Sequence, residues 1–183
     1  MPTIFSHAVF AVVLGKAGLR KTDYFRFWFL TALCAVIPDA DVIARSLGAG
    51  RGSLFAHRGF THSIVFSVLF GALAAFIVRR FLPTGISFAG LFVFFALATV
   101  SHPLLDMLTD GGPGVALFAP FTNERFFFPW RPVEVSPIGL RFFGERGLVV
   151  IASEIVWLWL PAVAVWLAAR FFQKKRRMGE RRA

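Results

Sequence analysis

The 183-residue chain predicts an all-α fold, a polytopic membrane helical bundle of about four to five helices with a long loop before the last span. Three observations predict it. The mean hydropathy is +0.69 with 57% hydrophobic and 16% charged residues, where soluble domains carry about 25% charged residues. The apolar residues are gathered into runs of helical length, separated by Pro, Gly and basic residues. The few histidines and aspartates fall at the ends of those runs rather than through them. Residues 1–183 read as one membrane-embedded domain that ends in a basic cytoplasmic tail at 173–183, and 24 phenylalanines supply packing bulk without polar groups that need partners.

The first run, Ile4 to Leu14, is too short to cross a hydrocarbon core of about 30 Å at about 1.5 Å per residue, so it reads as a half-span or a helix inside the bundle. Phe25 to Ile37 is also short, and Tyr24 extends it towards the interface. Ile64 to Val78, lengthened by Thr61 as an N-cap and by Phe81-Leu82, stops at Pro83-Thr84-Gly85, a turn that opens Ile86 to Leu105. These two runs form a transmembrane hairpin. Leu148 to Phe172 is the last span, and Pro161 within it predicts a tilt or kink. Gly111 to Gly147 is too long for a simple connector, and Phe126-Phe127-Phe128-Pro129-Trp130 suits it to the membrane interface.

The formal charge of +10 is explained by topology and anionic lipid, because the basic residues flank the apolar runs and no nucleic-acid-binding motif accompanies them; nucleic acid is not expected as a partner. One side of the alternating topology collects Lys16, Arg20, Lys21, Arg26, Arg79, Arg80, Lys174, Lys175, Arg176, Arg177, Arg181 and Arg182. The other collects Arg45, Arg51, Arg58, Arg125, Arg131, Arg141 and Arg146, with Arg170 at the boundary of the first. The richer side is expected to be cytoplasmic. The same assignment places Asp39, Asp41, His57, His62, His102, Asp106 and Asp110 near the opposite face, which in a bacterial inner membrane is periplasmic. Met1 to Leu14 lacks a basic n-region and a cleavage site, so no signal peptide is read. Cys34 is the single cysteine, which excludes an intramolecular disulfide and reads as a small buried hydrophobe.

Two stretches carry the chemistry. His57-Arg58-Gly59-Phe60-Thr61-His62-Ser63 and His102 to Asp110 together hold three of the four histidines. Imidazole and carboxylate donors at the ends of apolar segments suit a divalent metal such as zinc, since charged groups in lipid need partners. His102, Asp106 and Asp110 are spaced i, i+4, i+8 and share a helix face for as long as the helix continues; His102 and Asp106 also read as a simple hydrogen-bonded pair. Gly59 permits the turn that would point His57 and His62 inward, and the alternative leaves His57 in an exposed loop. Pro38-Asp39-Ala40-Asp41 closes the second run; Asp39 is the better ligand, and Asp41 serves equally as a cap. His7 reaches the same centre or is a satisfied core histidine. Glu154, inside the last span, needs a partner as ligand, as acceptor for a ligand ring or as mate to an arginine. Arg58 offers a phosphate partner or a headgroup contact.

The His57 to Ser63 and Ser101 to Asp106 segments resemble the bacterial family of inner-membrane, membrane-bound metal-dependent hydrolases, whose hallmark is His-Arg-Gly-x-Thr-His-Ser followed by Ser-His-x-x-x-Asp. The resemblance runs from His7 through Pro38-Asp39 to Pro120-Phe121. It also implies a distant relation to the all-α zinc-dependent phospholipase C and P1 nuclease group, from which this chain departs in its fewer histidines and larger apolar surface. The expectation is a metal-dependent hydrolase acting on a phosphoester or lipid-linked substrate at the membrane interface, with membrane lipids as its surroundings. Asp39, His57, His62, His102 and Asp106 are the expected catalytic ligands, with His7, Asp41, Asp110 and Glu154 as further metal candidates and Arg58 as the substrate-binding residue. No Gly-x-Ser-x-Gly elbow or phosphate-binding P-loop is present. The rival reading is an ion or small-solute transporter using the same His/Asp cluster as a pathway, which would place that cluster near the bilayer midplane.

Overall fold

The computed structural model describes residues 1–19, 24–46, 53–54, 56–137 and 142–180. The helices are α1 (Ile4–Gly18), α2 (Phe25–Val36), a short α3 (Asp41–Ser46), α4 (Ile64–Phe81), α5 (Phe88–Met107), α6 (Glu145–Glu154) and α7 (Leu160–Glu180). A π-helical turn, Ile155–Trp159, joins α6 to α7 into one rod. Among the described residues there is no named strand, only two isolated bridges in the loop after α5. The all-helical bundle matches the class the composition predicts.

Among the described residues three rods are long and apolar enough to cross a bilayer: Ile64–Phe81, Phe88–Met107 and Glu145–Arg176, with mean hydropathies of 2.0, 1.9 and 2.2. Helix α1, at 15 residues, extends one turn past the apolar run read from sequence, yet stays shorter than a full crossing. Helix α2 has 12 residues. Alternation of direction brings the start of α1, the end of α2, the start of α4, the end of α5 and the start of α6 to one end of the bundle. Lys16, Arg26, Arg79, Arg80 and Lys174 stand at the other ends of their helices. Arg20, Lys21, Arg51, Arg141, Arg181 and Arg182, also part of the charge count, lie outside the described residues.

The core explains the tightness of the hairpin. Ala74, Ala75 and Val78 of α4 pack with Leu91, Phe95 and Ala98 of α5, Phe27, Cys34 and Ala35 of α2 and Ala11 of α1. Small residues let the backbones approach, which is how helices associate where lipid removes the hydrophobic drive. At Gly71 a Cβ would stand 2.5 Å from the backbone nitrogen of Ala96, so only glycine fits. Leu69 and Phe76 on the same helix are about 60% exposed, as a lipid-facing surface requires.

One local expectation is revised. Ser63, not Thr61, caps α4: its hydroxyl accepts from the Phe66 N–H at 3.0 Å. Near Pro161 the helix accommodates the missing N–H by a π turn, in which the Leu160 N–H donates to the Ile155 carbonyl.

The segment after α5 is anchored rather than loose. Phe128 N–H donates to Met107 O, Asp110 N–H to Val133 O, and Val133 N–H to Leu108 O. Val115 and Phe126 exchange both backbone bonds, and Ala116 N–H donates to Arg58 O. Val115, Ala116, Ala119 and Val133 are buried, so this segment lies over the site end of the bundle. The aromatic run at 126–130 ends in an exposed Trp130 set edge-on to Trp157, with centroids 5.0 Å apart.

Candidate metal centre

Four donors from three separate elements converge at that end: Asp39 from the 3-10 turn Ile37–Ala40, His62 from the 3-10 turn Phe60–His62, and His102 and Asp106 from the last turns of α5. All four are buried. His62 Nε2 lies 3.1 Å from His102 Nε2, 3.6 Å from Asp39 Oδ1 and 3.5 Å from Asp106 Oδ2, while His102 Nε2 lies 3.4 Å from Asp39 Oδ1. His7 stacks on His102 with centroids 3.7 Å apart, and its Nε2 lies 3.6 Å from Asp106 Oδ1. Both nitrogens of His7 and both carboxylate oxygens of Asp39 and Asp106 are buried without an aligned hydrogen bond.

The tautomers follow from the outer partners. His102 Nδ1 faces the Ala35 carbonyl at 2.7 Å; a carbonyl only accepts, so Nδ1 carries the hydrogen and Nε2 presents a lone pair to the cluster. His62 Nδ1 faces Asp41 Oδ2 at 3.1 Å, which orients that ring the same way. Two imidazole lone pairs and two carboxylates therefore aim at one volume. Donors bound about 2.0–2.2 Å from one tetrahedral ion stand about 3.3–3.6 Å from each other; the separations of His62 from Asp39 and Asp106 and of His102 from Asp39 fall in that range, with the two rings slightly closer at 3.1 Å. The donor set fits a divalent cation. Without one, burial disfavours a charged His62 ring, but hydrogen bonding to Asp106, Asp39 and Asp41 outweighs it and raises the ring well above the usual histidine value. Burial likewise pushes the Asp39 carboxyl up, and the adjacent His102 and His62 rings overcome this and hold it below the usual range.

Asp41 organises the His57–Ser63 segment around this cluster. Its carboxylate accepts from His57 Nδ1 at 2.7 Å, from the Arg58 backbone N–H at 3.0 Å and from Thr61 Oγ1 at 3.0 Å. Burial raises its carboxyl, but the bonds from His57 and His62 prevail and lower it. The bend is made at Arg58, which has φ 62°, a left-handed conformation that is costly for a side chain with a Cβ. Gly59 then passes so close to the chain that a Cβ would lie 2.2 Å from the Leu54 carbonyl oxygen. His57, Asp41 and His62 form a second group close enough for an ion, with His57 partly exposed at its rim.

Three expected residues are placed elsewhere. The helix ends at Met107, so the i+8 position leaves the shared face; Asp110 is exposed and its carboxylate accepts from the Val135 N–H at 2.8 Å. Glu154 is fully buried but accepts from the Thr3 N–H, from Thr3 Oγ1 at 2.7 Å and from Ser6 Oγ at 2.6 Å, which ties the start of α1 to the last rod. Arg58 does not offer its guanidinium to a substrate. It is 1% exposed, with Nε 2.9 Å from Asp106 Oδ2 and its other nitrogens donating to Gly111 O at 3.1 Å and Thr109 Oγ1 at 3.0 Å. An arginine with every nitrogen engaged beside a buried carboxylate is a positioning group.

Two supporting residues escaped sequence reasoning. Arg125 donates to the carbonyls of His57 at 3.1 Å and Gly114 at 3.2 Å, bracing the motif from the loop, and Thr109 holds Arg58. Neither stands in a recognisable spacing, because both act across large sequence separations.

Comparison with known proteins shows the family of the chain. Residues 1–177 match the family described as YdjM inner membrane protein. The chain is 40% identical over 164 residues to the Escherichia coli (strain K12) inner membrane protein YbcI, covering 89% of this chain and 94% of that one. No solved structure matches the chain. Since the match runs through every element that supplies a donor to the cluster, the chain belongs to the YdjM inner membrane protein family, a family of the bacterial inner membrane.

Proposed function

We propose that this protein is a membrane-bound metal-dependent hydrolase that acts on a phosphoester or lipid-linked substrate where the bilayer meets the periplasm. One observation carries the reading: the Nε2 lone pairs of His62 and His102 and the carboxylates of Asp39 and Asp106 converge within 4.8 Å in a buried site. The Arg58 guanidinium offsets one of the two carboxylates, and a divalent cation would offset the other and satisfy the two imidazole acceptors in low dielectric. Asp39, His62, His102 and Asp106 would hold the ion, with His7 against them as a further donor. Zinc fits the mixed nitrogen and oxygen set. When bound, such an ion supplies Lewis acidity and lowers the pKa of coordinated water to about 7.

The chain's own residues divide the remaining work. Asp41 holds the Nδ1 hydrogen of His57 and so fixes the orientation of that partly exposed ring at the rim of the cluster. Arg58 fixes Asp106 from behind through its 2.9 Å contact. Depth supports hydrolysis over transport, since the donors stand in the last turns of α5 and in turns flanking α2 and α4, at one end of the bundle rather than mid-span. The basic residues at the opposite helix ends support a periplasmic site.

The test is metal analysis of the purified protein with a phosphoester hydrolysis assay in lipid nanodiscs. About one or two zinc ions per chain and activity abolished by chelator are expected. Hydrolysis that continues after the metal is stripped would reject the mechanism.

A further inference from the structure

An apolar cavity of about 350 Å³ lies beside the cluster, between the first turn of α1, α3 and the loop end. Pro2, Ile4, Phe5, Val42 and Phe142 line it, and its wall also holds Met1, Thr3, Ser136 and the Asp39 carboxylate. The Asp39 carboxylate is 7% exposed at the residue level and has no aligned hydrogen bond, so the cavity has a greasy body and a polar inner end that adjoins the metal donors. At its mouth Ile4 and Phe5 are 52% and 64% exposed, as are flanking Ile43 and Phe143 at 65% and 82%. Side chains of that kind face lipid rather than water when they stand at one end of a membrane bundle.

We infer that this cavity receives one hydrocarbon chain of a bilayer lipid, entering sideways from the membrane, so that the polar linkage at the head of that chain comes to rest at Asp39. Its volume is at the lower end of ligand pockets, about 300–1,000 Å³, which suits part of a single chain and excludes a whole two-chain lipid. The apolar walls give each buried methylene a favourable transfer only relative to water, so discrimination comes from shape and from the polar end, not from greasiness alone. The inference rests on the hydrolase reading for the fate of the headgroup, and names its substrate class as a lipid ester with an acyl or prenyl chain. Chain binding itself does not depend on that reading.

The experiment uses the full-length protein in phosphatidylethanolamine–phosphatidylglycerol nanodiscs carrying a trace phospholipid with a diazirine on one acyl chain. After photolysis, the labelled residues are mapped by mass spectrometry, and metal content is measured on the same sample. Labelling concentrated at Phe5, Val42 or Phe142, above the lipid-facing Leu69 and Phe76, supports the cavity. Val42→Trp, which fills the cavity, is expected to reduce labelling at Phe5 and Phe142 to the level at Leu69 while leaving Leu69 and metal content unchanged, since the indole takes the space the chain would occupy. Phe5→Trp at the exposed mouth gives the same reading if Val42→Trp fails to fold. Labelling no stronger in the cavity than at Leu69, or unchanged by both variants, overturns the inference. Selective cavity labelling of wild-type protein that holds no metal keeps the chain site and rejects the hydrolase reading.

Discussion

His62 Nε2 and His102 Nε2 face each other across 3.1 Å, and the outer partners of both rings direct their Nδ1 hydrogens away from that gap. Two neutral rings so held repel unless a cation or a proton lies between them. His62→Ala or His102→Ala should therefore strip the metal, read as loss of zinc by elemental analysis after dialysis. Asp41→Asn keeps all four donors but weakens the orientation of His62, and is expected to lower affinity about 10–100-fold. Retention of wild-type stoichiometry by both alanine variants would remove the cluster from consideration.

The pH dependence of metal uptake has a definite sign. Burial opposes a charge on His62, yet Asp106, Asp39 and Asp41 raise it above its usual value, so a proton on its ring competes with an incoming ion. Affinity should rise with pH, about tenfold per unit for one displaced proton, below the raised value. Competition with a chelating dye from pH 6 to pH 8 measures the slope, and a flat profile contradicts the assignment. Asp41 works in the other sense: its lowered carboxyl contributes stability that is present above about pH 4 and is lost as pH falls through its folded-state value.

Arg58 is predicted to be a stability residue. Removing it leaves Asp106 buried and unpaired, which costs about 3–5 kcal/mol. Arg58→Lys should fail to restore wild-type thermal stability, because an ammonium cannot reach Asp106, Thr109 and Gly111 in the fixed directions of a guanidinium. Thermal unfolding in detergent compares the two variants; a lysine variant as stable as wild type would contradict the enclosed role.

Asp110 and Glu154 separate position in sequence from position in space. Asp110→Asn is expected to leave zinc content and activity unchanged, since its oxygen serves the Val135 N–H outside the cluster. Glu154→Ala should keep zinc but lose stability, at about 1–3 kcal/mol for each of the Thr3 and Ser6 donors left unsatisfied. Zinc lost from either variant would return that carboxylate to the ligand set.

Composition and apolar periodicity alone determined the helical class, the α4–α5 hairpin and the final rod, because lipid compels every spanning backbone to satisfy itself within its own helix. Local chemistry also marked His62, His102, Asp106 and Asp39 as candidates, each at the end of an apolar run where an ionisable group is tolerated. Sequence could not say that α5 ends at Met107 and carries Asp110 off the shared face, nor that Glu154 turns to Thr3 across 151 residues. Arg58 looked outward-facing in sequence and is enclosed in the fold, because its left-handed backbone turns it under the loop at Gly111. These outcomes were decided by tertiary structure, since helical spacing governs which residues share a face only within one helix, whereas partners for a buried charge are chosen by whichever elements pack around it.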